Sequence, residues 1–196
     1  MSEVTANMMI TLDGCAAGEG QSRERPFGDI DTGRLEAWRF DHAEENAEEI
    51  AAIATAGAYV MGRNMFGPDR GEWDLDWHGW WGPNPPYHAP TFILAHRPRP
   101  SIEMEGGTVY HFVTDGIEAA LERAREAAGE RNVSIAGGPG TLNQYLAAGL
   151  VDELHLHVAP FVAGGGERLF DGAAGLELTP ISSRATPHVT HLVYRR

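Results

Sequence analysis

A single cysteine, Cys15, stands in the 196-residue chain, which excludes an internal disulfide framework and fits a reducing compartment. No apolar run approaches the roughly 18–20 residues that a membrane-spanning helix needs. The first residues, MSEVTANMMITLDG, carry neither a basic segment nor a long apolar core, so no signal peptide is expected. These absences together predict a cytoplasmic protein with no membrane partner. Basic residues are scarce, 15 against 28 acidic ones, for a formal net charge of −13. Such a chain repels phosphate backbones, so no nucleic-acid partner is expected. The acid is densest in DHAEENAEE at 41–49, which reads as a solvated helix face. There is no G-x-S-x-G nucleophile motif, no internal repeat and no low-complexity linker.

What is present suits one globular domain over residues 1–196, since 42% of the chain is hydrophobic and its length allows a sizeable core. Val4 to Leu12 is β-compatible and stops at the turn signal Asp13-Gly14. Residues 15–32, rich in Gly and charge, read as a long loop. From Leu35 to Ala56 the apolar spacing turns helical, with Leu35, Trp38, Ile50, Ile53 and Ala54. The polar middle, EENAEE, leaves one helix or two open. Short buried strands are expected at 58–61, 91–95, 108–113 and 133–136. Helices are expected from Ile117, with Leu121, Ala124 and Ala128 on one face, and at 141–148. The C-terminal part reads as a strand at 154–161, a long turn GGGERLFDG, and strands at 176–184 and 189–194. The pattern predicts an α/β fold with a mostly parallel central sheet flanked by helices, and an antiparallel hairpin at the C-terminus.

Open α/β sheets bind ligands beyond the carboxyl ends of their strands. AYVM is followed by Gly62-Arg63-Asn64, TFILA by His96-Arg97, and VSIA by Gly137-Gly138-Pro139-Gly140-Thr141. Glycines let a pyrophosphate approach the backbone, and free N–H groups at a helix start favour the anion. Arg63 and Arg97 can grip phosphate oxygens bidentately. Two such arginines suggest the extra phosphate that NADPH carries and NADH lacks. The turn is not the Rossmann pattern G-x-G-x-x-G. The plain structural alternative is a tight strand–helix connection with surface arginines.

Four motifs, MITLDG (9–14), VMGRNMFGP (60–68), IAGGPGTLNQYLAAGLVDELHLHVAP (135–160) and GGGERLFDG (164–172), carry a resemblance over most of the chain. The chain resembles the dihydrofolate reductase-like superfamily, in particular the bacterial branch that includes the C-terminal reductase domain of the bifunctional riboflavin-biosynthesis deaminase/reductase. The resemblance implies NADPH as hydride donor, a small-molecule substrate and often a homodimer. It places Gly62, Arg63 and Asn64 on the phosphate side of the cofactor, and His96 and Arg97 near the adenosine 2′-phosphate. Gly137, Gly138, Gly140 and Thr141, with Pro139 in the same turn, fall at the pyrophosphate and nicotinamide. Asp13 and Gly14 fall beside the nicotinamide pocket.

There are departures. Ala136 stands where the riboflavin reductases typically have a glutamate, and these 196 residues contain no deaminase half. The phosphoribosyl-pyrimidine intermediate is therefore not the expected substrate. Dihydrofolate reductases carry a carboxylate on the first helix; Glu45 and Glu49 are the possible counterparts, with Asn46 nearest the expected distance from Gly62.

Asp13 is the candidate acid or substrate anchor, set against an ordinary Asp-Gly turn. Four of the five tryptophans, Trp73, Trp77, Trp80 and Trp81, crowd one Gly/Pro loop with Tyr87. They form either a lid on a flat substrate or a loop packed on its own domain or on a dimer partner. Phe66, Trp80, Trp81 and His157 are further substrate-contact candidates. His155, His157, His188 and His191 lack the supporting ligands of a metal site, so no metal is expected. The expectation is an NADPH-dependent reductase of a small pterin- or pyrimidine-like heteroaromatic. A flavin-type cofactor is the variant within that class. The rival is a non-catalytic ligand-binding or dimeric scaffold with the same fold.

Overall fold

Strand runs that are buried on both faces belong in the middle of a parallel sheet, and the chain uses them there. The computed structural model describes residues 2–196. In order the elements are β1 (Val4–Thr11), β2 (Cys15–Ala17), α1 (Thr32–Phe40), a 3-10 turn (Glu44–Asn46) and α2 (Ala47–Ile53). β3 (Ala58–Gly62), α3 (Arg63–Phe66), β4 (Pro90–Leu94), β5 (Ile102–Glu103), β6 (Val109–Val113) and α4 (Ile117–Ala128) follow. The chain closes with β7 (Val133–Gly137), α5 (Pro139–Ala147), β8 (Glu153–Ala159), β9 (Glu167–Arg168), β10 (Thr179–Thr186) and β11 (Val189–Arg195).

Nine strands make one sheet in the order β10-β11-β8-β1-β7-β3-β4-β6-β5. The six from β8 to β6 run parallel; β11 pairs antiparallel with β8, β10 antiparallel with β11, and β5 antiparallel with β6. The expected mostly parallel sheet and C-terminal antiparallel pair are both present. α4 buries Ala120, Leu121, Ala124 and Ala128 against one face of the sheet, with Val60, Ile135 and Leu142 in the same core. A second core on the opposite face gathers Tyr59, Met61, Phe66, Ile93 and Tyr110. No helix is long and apolar enough to cross a membrane among the described residues.

Of the two readings left open for 35–56, the structure has two helices split by the 3-10 turn, because Asn46 turns inward and donates to the carbonyls of Trp38 and His42 at 3.2 and 2.8 Å. The loop expected at 15–32 and the turn at 164–172 need correction. The 15–32 loop opens with β2, which pairs with β9 in a separate two-stranded sheet. That pairing joins the end of MITLDG to GGGERLFDG. Asn143 of α5 clamps the same turn, donating to the Arg168 carbonyl at 2.9 Å and accepting from the Phe170 amide at 2.7 Å. Asp152 anchors β1 by accepting from the Val4 amide at 2.8 Å. Three motifs distant in sequence thus meet.

Candidate functional site

The ends of β7, β3 and β4 lie side by side, with Met61 opposite Gly137 and Gly62 opposite Leu94. The three glycine- or arginine-bearing strand ends are therefore neighbours. Gly62 sits against α5: a Cβ there would lie 2.2 Å from Thr141 Oγ1. Gly137 has φ +107, a left-handed value that favours glycine. Around Gly140 nothing lies within 4 Å of a would-be Cβ, and at Gly138 only Met65 does. α5 begins with Pro139 and carries no side-chain cap, so its first turn presents bare backbone to this open rim. The Thr141 and Leu142 amides of that turn both donate to the Gly138 carbonyl at 3.0 Å and Pro139 has no N–H, so Gly140 carries its remaining amide.

Arg63 and Arg97 come together, but on the chain's own atoms. Arg63 donates to the carbonyls of Gly71 and Glu72 at 2.8 and 3.3 Å, and its guanidinium lies 3.8 Å from the centre of the Trp73 ring. Arg97 pairs with the Glu72 carboxylate. His96 is exposed beside it. The Asn64 carbonyl accepts from Gln21 Nε2 at 3.0 Å and Trp80 Nε1 at 3.2 Å.

The tryptophan loop packs on its own domain. Trp73 and Trp77 join the second core, and Trp77 Nε1 donates to the Phe66 carbonyl at 2.8 Å. Arg99, 9% exposed, ties the loop down by donating to the carbonyls of Asp74, Leu75 and Trp77. Phe66 is 1% exposed in that core, which removes it from the substrate-contact candidates. Trp81 is the most open of the four, and its Nε1 donates to the Tyr87 hydroxyl at 3.1 Å.

Asp13 also differs from expectation. Its carboxylate accepts from Thr11 Oγ1 at 2.6 Å and from the Ala163 and Gly164 amides at 3.0 and 2.8 Å. These hydrogen bonds, the Thr11 hydroxyl first, hold it well below the usual carboxylate range. An ionised loop clamp has no proton to donate near neutral pH, so the acid role does not fit.

α1 itself carries one carboxylate, Glu36, which the sequence reading did not single out. Glu45 lies in the 3-10 turn, and Glu49, on α2, pairs with Arg184 at 2.6 Å. Glu36 is half-buried beside Arg39, 3.7 Å away, and burial pushes its carboxyl up despite that charge. Leu35 and Trp38 are the fully buried positions of α1, so Glu36 and Arg39 flank its inner stripe. Arg39 lies 5.9 Å from the Trp81 ring, and its charge also reaches Tyr87 and His157. The inner flank of α1 thus faces the strands between Tyr87 and His157. The helix phase set by Leu35 and Trp38 was the signal available in sequence.

Beneath α1 lies a histidine pair. His157 Nδ1 is 2.7 Å from His191 Nδ1, and His191 Nε2 is 2.9 Å from Asn46 Oδ1. Trp38 stacks on His157 with ring centres 4.5 Å apart. Asn46 uses its amide nitrogen on two carbonyls, so its oxygen can only accept and His191 must donate from Nε2. Neutral His191 then accepts at Nδ1, and His157 carries its proton on Nδ1. Burial lowers both histidines, His157 to about 3. His157 Nε2, Trp38 Nε1 and Asn7 Oδ1 are buried without a hydrogen-bond partner among the described residues. Register places Asn7 opposite His155 on the same face as His157. His188 stacks on His42 and His155 pairs with Glu153, so the four histidines do not converge. Among the described residues no group of three potential ligands could hold a metal.

A mostly parallel sheet ending in a glycine turn and an arginine pair, with helices on both faces, is the dihydrofolate reductase-like α/β fold. The model of the RibD C-terminal domain family matches residues 2–192. The chain belongs to that family. Among solved structures it is similar to a Shewanella protein ascribed to riboflavin biosynthesis (20% identity, 99% of this chain and 98% of that one, TM-score 0.62). A pyrimidine reductase-like protein from Corynebacterium diphtheriae matches at 17% identity (99% and 91%, TM-score 0.58). A dihydrofolate reductase from Enterococcus faecalis, complexed with NADP(H), matches at 15% (99% and 96%, TM-score 0.56). No curated protein matches.

Proposed function

We propose that the protein is an NADPH-dependent reductase of a small pyrimidine- or pterin-like heteroaromatic. The observation that carries this reading is the adjacency of three strand ends: Gly62-Arg63, His96-Arg97 and the open glycine rim at the start of α5. Gly137, Gly138, Pro139, Gly140 and Thr141 would hold the pyrophosphate, while Asn64, Arg63, His96 and Arg97 would hold the adenosine side. NADPH supplies a hydride when bound. The chain's own part is to place the substrate and manage one proton. The unpartnered atoms of Asn7, Trp38 and His157 favour a ring bearing both donor and acceptor groups, because unpaired buried polar atoms are expensive. Glu36, whose carboxyl burial pushes above its ordinary value, is the candidate to donate a hydrogen bond or proton to that ring. Trp80 and Trp81 would border it, and Asp13 would fix the loop beside it.

The test is calorimetric titration with NADPH, with NADH as control, followed by a turnover screen against aminopyrimidines and pterins. Micromolar NADPH binding, with turnover abolished in Glu36→Gln at unchanged NADPH affinity, is expected. Failure of both nucleotides to bind would overturn the reading.

A further inference from the structure

The anion grip read from the strand ends is already in use. Arg63 and Arg97 leave adjacent strands, β3 and β4, and both reach one dipeptide, Gly71-Glu72. Arg97 meets a carboxylate; Arg63 meets two carbonyls. Trp73 holds the dipeptide in place. Its ring lies under the Arg63 guanidinium, its Nε1 donates to the Arg97 carbonyl at 3.1 Å, and its far edge packs on Phe66 and Phe112. Glu72 therefore stands beside Arg97 because a core-anchored neighbour puts it there. On the same stretch, Asp69 and Asp74 are occupied by Arg23, at 2.8 and 2.6 Å. That leaves the Glu72 carboxylate as the acid paired with Arg97.

We propose that the Glu72 carboxylate is an internal anion that competes with a nucleotide 2′-phosphate for Arg97, and so sets how strongly the protein prefers NADPH to NADH. The proposal rests on the cofactor reading above. An exposed ion pair is weak, and this one is exposed, with 83% of the Glu72 side chain accessible. A phosphate dianion offers more charge and a bidentate fit to guanidinium, so it can displace the carboxylate. Displacement still sets a negative carboxylate beside a negative phosphate. A ribose 2′-hydroxyl suffers no such repulsion and can donate to the carboxylate, as acidic residues do at NAD sites. Glu72 thus penalises the 2′-phosphate selectively. Arg63 keeps its place through Trp73 in either case.

The experiment compares 2′,5′-ADP with 5′-AMP, two probes that differ only in the 2′-phosphate, by calorimetry on the full chain and on Glu72→Gln. The exposed position makes the variant fold-neutral, which a thermal melt checks. The affinity ratio for 2′,5′-ADP over 5′-AMP is expected to rise at least about threefold in the variant, in line with the energy of one exposed charge pair. The NADPH over NADH ratio should follow it. An unchanged ratio, or an equal shift for both probes, overturns the proposal. If Arg97→Ala weakens 2′,5′-ADP in that case, the cofactor reading survives alone. If neither probe binds either protein, the cofactor reading fails and the proposal with it.

Discussion

Asn46 fixes the protonation of His157 without touching it. The link is His191, which donates from Nε2 to the Asn46 oxygen and must therefore accept at Nδ1 from His157. Long-range proton–nitrogen NMR on 15N-histidine-labelled protein is expected to find His157 protonated at Nδ1 and His191 at Nε2 at neutral pH. The reverse assignment would refute the chain of donors. Asn46→Leu should release the restriction on His191.

The same pair makes stability depend on pH. Burial holds His157 near 3 and His191 below its ordinary value, with Glu49 opposing the shift in both and positive charge from Arg39, His155 and Arg184 adding to it. The unfolded chain takes up protons near pH 6.5, where the folded chain does not. The stabilisation is therefore complete above about pH 6.5 and is lost as pH falls toward 3, by about 1.4 kcal/mol per pH unit at most for one histidine. Urea denaturation between pH 7 and pH 5 should show this slope, and His157→Gln should flatten it.

Gly62 and Thr141 form a steric pair between β3 and α5. Gly62→Ala would force its Cβ onto Thr141 Oγ1 and is expected to destabilise by about 1–3 kcal/mol. Thr141→Ala removes the obstructing oxygen, so the double variant should recover most of that loss. Additive losses in chemical denaturation would show that the two do not meet.

β10 is an edge strand exposed along Thr179–Ala185, and Ile181 on it is 53% exposed. Such an edge invites pairing with a second copy. We propose a homodimer through this strand. Light scattering should give twice 21.3 kDa, and Ile181→Lys should shift it toward the monomer. A monomeric wild type would refute it.

Sequence reading reached the elements whose signal is local. The β-branched run before Gly137, the helix after its glycine turn and the alternation of β8 each declare themselves within ten residues, although that helix starts at Pro139 and not at Thr141. β2, β9 and β5 did not, because strands of two or three residues exist only through their partners. The first-helix carboxylate was sought at Glu45 and Glu49 because the acidic run hides the break between α1 and α2. Glu36 emerged only when Trp38 fixed the helix phase. Asp13 reads as a turn acid, but beside Thr11 it also holds the Ala163 and Gly164 amides, about 150 residues away. The arginines were found, but not the glutamate on them, since no spacing rule connects residue 72 to residue 97.

The 67–89 segment leaves the sheet after α3 and rejoins it at β4 without contributing a strand. Its tip, Arg70 to Glu72, is exposed, while Trp73 and Trp77 root it in the second core. Residues at that tip can be exchanged with no change in strand register and little loss of buried apolar area. The part of the molecule facing the two arginines is thus a replaceable cartridge on a fixed mount. Related chains could diverge in nucleotide preference there while every strand stays where it is.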